Sequence, residues 1–321
     1  MRQAILDFTK QFDYEPIIEN SKSLATHNSF LLTGMGGSHL AADIVKSIQP
    51  EIDLTIYSDY GVAPASKEKK TNSLFIASSY SGNTEEVVEA YTQAQNEGIT
   101  TAVLATGGTL IERAKADGVP YIQMPDTGIQ PRSALGLSLL ALLKIMGENA
   151  LLQRVQQLKQ ILQVPALEES GRILATQLAN KTPIIYTSTK NKGVAYNWKI
   201  KCNETGKIPA FYNIIPELNH NEMNGFDLQE KSKELGKQFC VILITDEADH
   251  PQNQKRMRVV KELYEARSIS VIEQPLSGKS PEEKIFQSLL IADWMALHLA
   301  ELYNHEAEKV PMIEEFKRKI A

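Results

Sequence analysis

Cysteine is almost missing from this 321-residue chain: only Cys202 and Cys240 occur, with no CxxC spacing. That scarcity fits a reduced, cytoplasmic compartment and gives no reason to expect reactive thiols. Histidine is sparse as well. His27, His39, His220, His250, His298 and His305 form no HxH pair and no HExxH, so no metal is expected. There is no basic surplus, the formal net charge being −5, and the aromatic residues do not interleave with basic ones. Nucleic acid is therefore not an expected partner. Nowhere do 18 uncharged apolar residues follow one another, and Asp7, Lys10 and Asp13 interrupt the opening segment. Neither a membrane span nor an export signal is expected. A GxSxG elbow, the mark of one class of serine hydrolase, is absent too.

What is present is a globular composition, 42% hydrophobic and 23% charged, on a chain long enough for two domains. Short apolar runs alternate with amphipathic helical stretches, which predicts an α/β protein of parallel sheets covered by helices. Strands are expected at 29–33, 54–58, 74–78, 101–105 and 121–124, then at 184–187 and 239–245. A helical pattern over 135–146 closes the first unit, and the polar helical run that follows breaks at Val164-Pro165. The boundary is placed at its start, giving domains 1–152 and 153–321. Because strand-to-turn-to-helix recurs in the second half, the chain reads as a decayed internal duplication.

Two strand-to-helix turns in the first half stand out. In IASSYSGNTEEVV, residues 76–88, an apolar strand enters Ser79, Ser81, Gly82, Asn83 and Thr84 and then a helix with an acidic first turn. Hydroxyls and helix-start N–H groups around one point suit a phosphate. Such residues also make ordinary capped turns, which is the alternative. The second turn, Gly34-Met35-Gly36-Gly37-Ser38, resembles a dinucleotide fingerprint, but His39 stands where its third glycine belongs. Residues 277–280, SGKS, end like a Walker A loop but have Glu273 in place of the first glycine. They read as surface loop. The turn corresponding to 79–84 in the second half carries Asp246, Glu247 and Asp249, which would repel a phosphate.

The densest ionisable set lies between Asn197 and Asn224. Glu204 falls at the end of an amphipathic stretch, just before Gly206 and Pro209, so its carboxylate could face a pocket at a helix end. His220 sits among Asn219, Asn221 and Glu222 in a segment with no regular period. Such a cluster on a loop suits catalysis or ligand binding, with solvated loop polars as the alternative.

GMGGS at 34–38, SYSGNTEE at 79–86, PRSALG at 131–136, CNETGKIPA at 202–210 and PELNHNEMNG at 216–225 together resemble the bifunctional phosphoglucose/phosphomannose isomerases of the sugar isomerase (SIS) superfamily. The resemblance implies two SIS domains, each a flavodoxin-like parallel sheet flanked by helices. It also implies a homodimer with the active site between domains near the dimer interface, a sugar phosphate as substrate, and no cofactor. It places Gly37, Ser38, Ser79, Ser81 and Thr84 at the phosphate, Glu204 as the proton-shuttling base and His220 as the ring-opening acid/base. Arg132 becomes the cation beside the reacting carbons, and Lys317 matches the family's C-terminal lysine. Val310 stands where the family has a threonine associated with mannose 6-phosphate, which implies a preference for glucose 6-phosphate. A non-catalytic SIS sensor of sugar phosphates is the alternative from another class.

Overall fold

Uninterrupted apolar runs in the first half become parallel strands buried on both faces, as sheets covered by helices require. The computed structural model describes residues 1–320. Its strands β1 (Ser29–Thr33), β2 (Asp53–Tyr57), β3 (Leu74–Ser78), β4 (Thr101–Ala105) and β5 (Tyr121–Gln123) form one sheet in the order β2-β1-β3-β4-β5. β3 and β4 have no exposed residue. On one face Leu31, Phe75 and Val103 pack against Val87 and Tyr91 of the helix Glu85–Asn96 and Leu110 of the helix Gly108–Asp117. On the other, Leu32 and Leu104 line a small gap with Ala41 and Leu142, from the helices Leu40–Ile48 and Leu135–Met146. β1 pairs with both β2 and β3, so the chain reverses its travel across the sheet at that point. The turns after β1 and β3 consequently open side by side, where ligands of such sheets bind.

The second unit repeats this plan with four parallel strands: β6 (Thr182–Ser188), β7 (Phe211–Ile215), β8 (Phe239–Thr245) and β9 (Ser270–Pro275), in the order β7-β6-β8-β9. The reversal falls between β6 and β8. β7 and β9 were not legible as strands. Both are edges, paired on one side only, and their burial is mixed, with Phe211 56% exposed. The helix Pro281–Leu302 is long and apolar enough to cross a membrane, but Ile285, Phe286, Leu289 and Trp294 bury it in the core of this unit.

The division between units differs from the 152/153 boundary of the sequence reading. Contacts group Asp7–Leu162 as one unit and place Met1–Leu6 with residues from Gln163 onward. The helix Asn149–Ile161 buries Leu151, Val155 and Leu158 in the first unit, and its Lys159 pairs with Asp13. That keeps it there. The opening helix Arg2–Leu6 instead packs on the helix Pro281–Leu302, with Ile5 2% exposed and the Arg2 guanidinium 5.2 Å from the Trp294 ring centre.

Candidate active site

Residues 79–84 turn at Gly82, whose φ of +73° is tolerated by glycine and whose added Cβ would lie 1.8 Å from the Gly107 carbonyl oxygen. The buried Ser79 hydroxyl accepts N–H groups from Gly82 at 3.1 Å and Thr84 at 3.4 Å, and lies 2.8 Å from the Thr84 hydroxyl. With both lone pairs used, Ser79 donates to Thr84 Oγ1, so the Thr84 proton points out of the pair. Thr84 is the extended residue that starts the helix Glu85–Asn96, and its side chain makes no cap bond. The first N–H groups of that helix are left to a ligand or water. Ser81 is exposed, its hydroxyl accepting the Asn83 N–H at 3.3 Å.

Two further loops of the same unit close on this turn. The Ser38 hydroxyl accepts the Tyr80 N–H at 2.9 Å, and the Ser38 carbonyl accepts the Ser78 hydroxyl at 2.7 Å. A Cβ added to Gly37 would stand 2.8 Å from Pro131 Cβ and 3.1 Å from the Arg132 nitrogen. Glycine is needed there for contact rather than for φ. The structure thus gathers Gly37, Ser38, Ser79, Ser81 and Thr84 with the Arg132 loop, and the Arg132 side chain is 2% exposed. Hydroxyls and helix-start N–H groups make a suitable setting for an anion.

In the second unit Glu204 is the last residue of the helix Lys192–Glu204. Two contacts fix that helix on Pro281–Leu302: Trp198 donates to the Ser288 hydroxyl at 3.0 Å, and Lys201 pairs with Asp293 at 2.5 Å. Asn203 donates to the carbonyls of Ile208 at 3.0 Å and Ala210 at 3.5 Å, which shapes the turn just after Glu204. Lys207, given no role by the sequence, donates to the carbonyl of Glu204 and to that of Lys309. Val310 therefore follows a residue tied to the Glu204 helix end. Lys207 sits at φ +58°, an unusual backbone state with no sequence signature. Burial pushes the nearby Cys202 thiol up to about 12, so it is no nucleophile.

His220 ends the 3-10 turn Glu217–His220 and is exposed. Lys317 lies on the exposed face of the helix Pro311–Ile320, 3.3 Å from Glu314. In the turn after β8, Asp246 is buried and takes Lys190 at 3.1 Å and Lys284 at 3.2 Å, while Asp249 takes the Ser188 hydroxyl at 2.8 Å. Burial acts to raise the Asp246 carboxyl, but the Ala248 N–H and the two ammonium groups outweigh it and hold the carboxyl below its usual range. For Asp249 burial prevails and pushes the carboxyl up. A cavity of about 480 Å³ beside this turn, lined by Asp246, Arg258, Lys261 and Glu273 among others, contains none of the candidate residues.

The chain is 33% identical, over 91% of its length, to the bifunctional phosphoglucose/phosphomannose isomerase of Caldicellulosiruptor bescii, 89% of which is covered. It belongs to the bifunctional phosphoglucose/phosphomannose isomerase family. Residues 168–320 match the family profile described as the bacterial phospho-glucose isomerase C-terminal SIS domain. A D-glucosamine-6-phosphate 4-epimerase of Sulfolobus acidocaldarius is also similar, 28% identical over 97% of this chain and 95% of its own. Among solved structures, glucosamine-6-phosphate deaminase from Thermotoga maritima has a TM-score of 0.64 at 13% identity, covering 97% of each chain. That likeness shows that this chain and the deaminase share a fold.

Proposed function

We propose that the protein interconverts glucose 6-phosphate and fructose 6-phosphate, and acts more slowly on mannose 6-phosphate. The observation that carries this reading is a half-buried carboxylate, Glu204, on a rigidly held helix end in a chain of the dual-isomerase family. In this reading the hydroxyls of Ser38, Ser81 and Thr84 hold the phosphate. Glu204 takes the proton from C2 of the aldose and returns it to C1 of the enediolate, one carboxylate serving both carbons. Arg132 offsets the charge developing on the oxygen. His220 moves a proton between O5 and O1 as the ring opens, a task suited to imidazole. The chain acts as a homodimer in the reduced cytoplasm.

The test is a coupled assay of the purified protein with glucose, fructose, mannose and glucosamine 6-phosphates, the last because of the epimerase relative. We expect isomerisation of fructose 6-phosphate, with Glu204→Gln lowering turnover by about 10²–10⁴-fold while binding persists. Binding without turnover in the unaltered protein would instead favour a sensor.

A further inference from the structure

Among the described residues no hydrogen bond or ion pair holds the His220 ring, so its position depends on the backbone around it. On one side Leu218 is fully buried; on the other Phe226 is buried in the same core, with Met223 against it. Apolar anchors of this kind hold a loop down without fixing its orientation. Glu222 lies between them, two residues after His220. Its Oε1 accepts the hydroxyl of Tyr186 on β6, and its Oε2 accepts the side-chain amide of Asn213 on β7. The Tyr186 ring is fully buried, and burial first, then Tyr264 and Glu222, push its phenol well above the ordinary range, so it stays a donor. The Asn213 amide is oriented in turn, because its Oδ1 accepts the Ile214 N–H at 2.8 Å. The Glu222 N–H is also taken, by Asn221 Oδ1 at 2.6 Å.

We infer that Glu222 is a positioning residue: its carboxylate fastens the His220 loop to two neighbouring strands and so sets where the imidazole stands. This rests on the role proposed for His220. Both Glu222 oxygens are engaged by the sheet, so it acts through the loop rather than on substrate. Hydrogen bonds to an ionised carboxylate are strong and directional, which suits them to fixing an orientation.

The pair Glu222 and Asn213 allows an exchange of donor and acceptor. Glu222→Gln either sets its amide donor against that of Asn213 or, turned over, takes the acceptor away from the Tyr186 hydroxyl; Asn213→Asp sets two carboxylates together, and the double variant restores one N–H to oxygen bond in reverse. With fructose 6-phosphate as substrate, we expect Glu222→Gln to lower kcat about 10- to 100-fold, KM changing less than about twofold. Asn213→Asp should lower it at least as far. The double variant should recover to within about threefold of the unaltered protein. In a His220→Ala background, Glu222→Gln should have no further effect on kcat.

Melting curves identify any single variant that fails to fold; the double variant and Tyr186→Phe then carry the comparison with His220→Ala. Equal losses from Glu222→Gln or Tyr186→Phe with and without His220, or a folded double variant that does not recover, would overturn the positioning role while leaving the isomerase reading intact. A His220→Ala enzyme with undiminished turnover would remove the role of His220 and this inference with it.

Discussion

Ser79 and Ser81 look alike in the sequence, and both were assigned to the phosphate, yet their hydroxyls have different work. Ser79 satisfies two backbone N–H groups inside the turn and donates to Thr84, whereas Ser81 is exposed. Ser79→Ala should therefore cost about 1–3 kcal/mol of stability, because buried donors lose their acceptor. Ser81→Ala should leave the melting temperature almost unchanged and weaken inorganic phosphate binding, a loss of one hydrogen bond worth about 1.5–3 kcal/mol to a charged group. Thermal melting and calorimetric titration separate the two; equal destabilisation by both changes would refute the distinction. Residue type suggested an anion site, with an ordinary capped turn as the alternative use of the same residues. Which hydroxyl builds the turn depends on where Gly82 sends the backbone, and that was not legible.

At the scale of elements, the turns after β3 and β8 occupy corresponding places in two sheets of the same plan, and their chemistry is opposite. The sequence showed the acidic residues after β8 but not their partners, because Lys190 follows β6 and Lys284 comes from the distant helix Pro281–Leu302. The chain's own carboxylate lies where the first unit presents hydroxyls. Asp246→Asn would leave the two ammonium groups facing each other without the charge that holds them, and we expect a loss of about 1–3 kcal/mol at pH 7. The native Asp246 carboxyl is depressed below its ordinary 3.8, so its contribution is complete above that value and disappears as pH falls through the native one. The deficit of the variant in denaturant melts should therefore shrink as pH falls below 3.8. A deficit that stayed constant with pH would show that the ion network contributes nothing. Edge strands β7 and β9 escaped the sequence reading for a related reason: strands half open to solvent need no apolar run, and the Asn213 side chain that holds Glu222 lies on one of them.

For the whole molecule, the alternation of apolar runs and helices was enough to predict two α/β units, but not which short segments belong to each. Local pattern carries no record of a partner far along the chain, and Arg2–Leu6 is too short for its period to say where its apolar side goes. The contacts place Met1–Leu6 with the unit that resumes at Gln163, so the chain enters the second unit twice and the first is inserted within it. Ile5, 2% exposed, is the main apolar tie of this opening segment. Ile5→Ala should create a cavity costing about 2–4 kcal/mol. If the opening segment belongs with the second unit, the cost appears there. Hydrogen exchange should show protection falling in the helix Pro281–Leu302 and around Val164–Leu167, against which the segment packs. The strands β1 to β5 should keep theirs, and inorganic phosphate should bind the variant as it binds the unaltered protein. A domain of residues 1–152 would require the reverse, with protection lost across β1 to β5 and phosphate binding weakened. The same substitution thus decides between the two boundaries by where the destabilisation is felt.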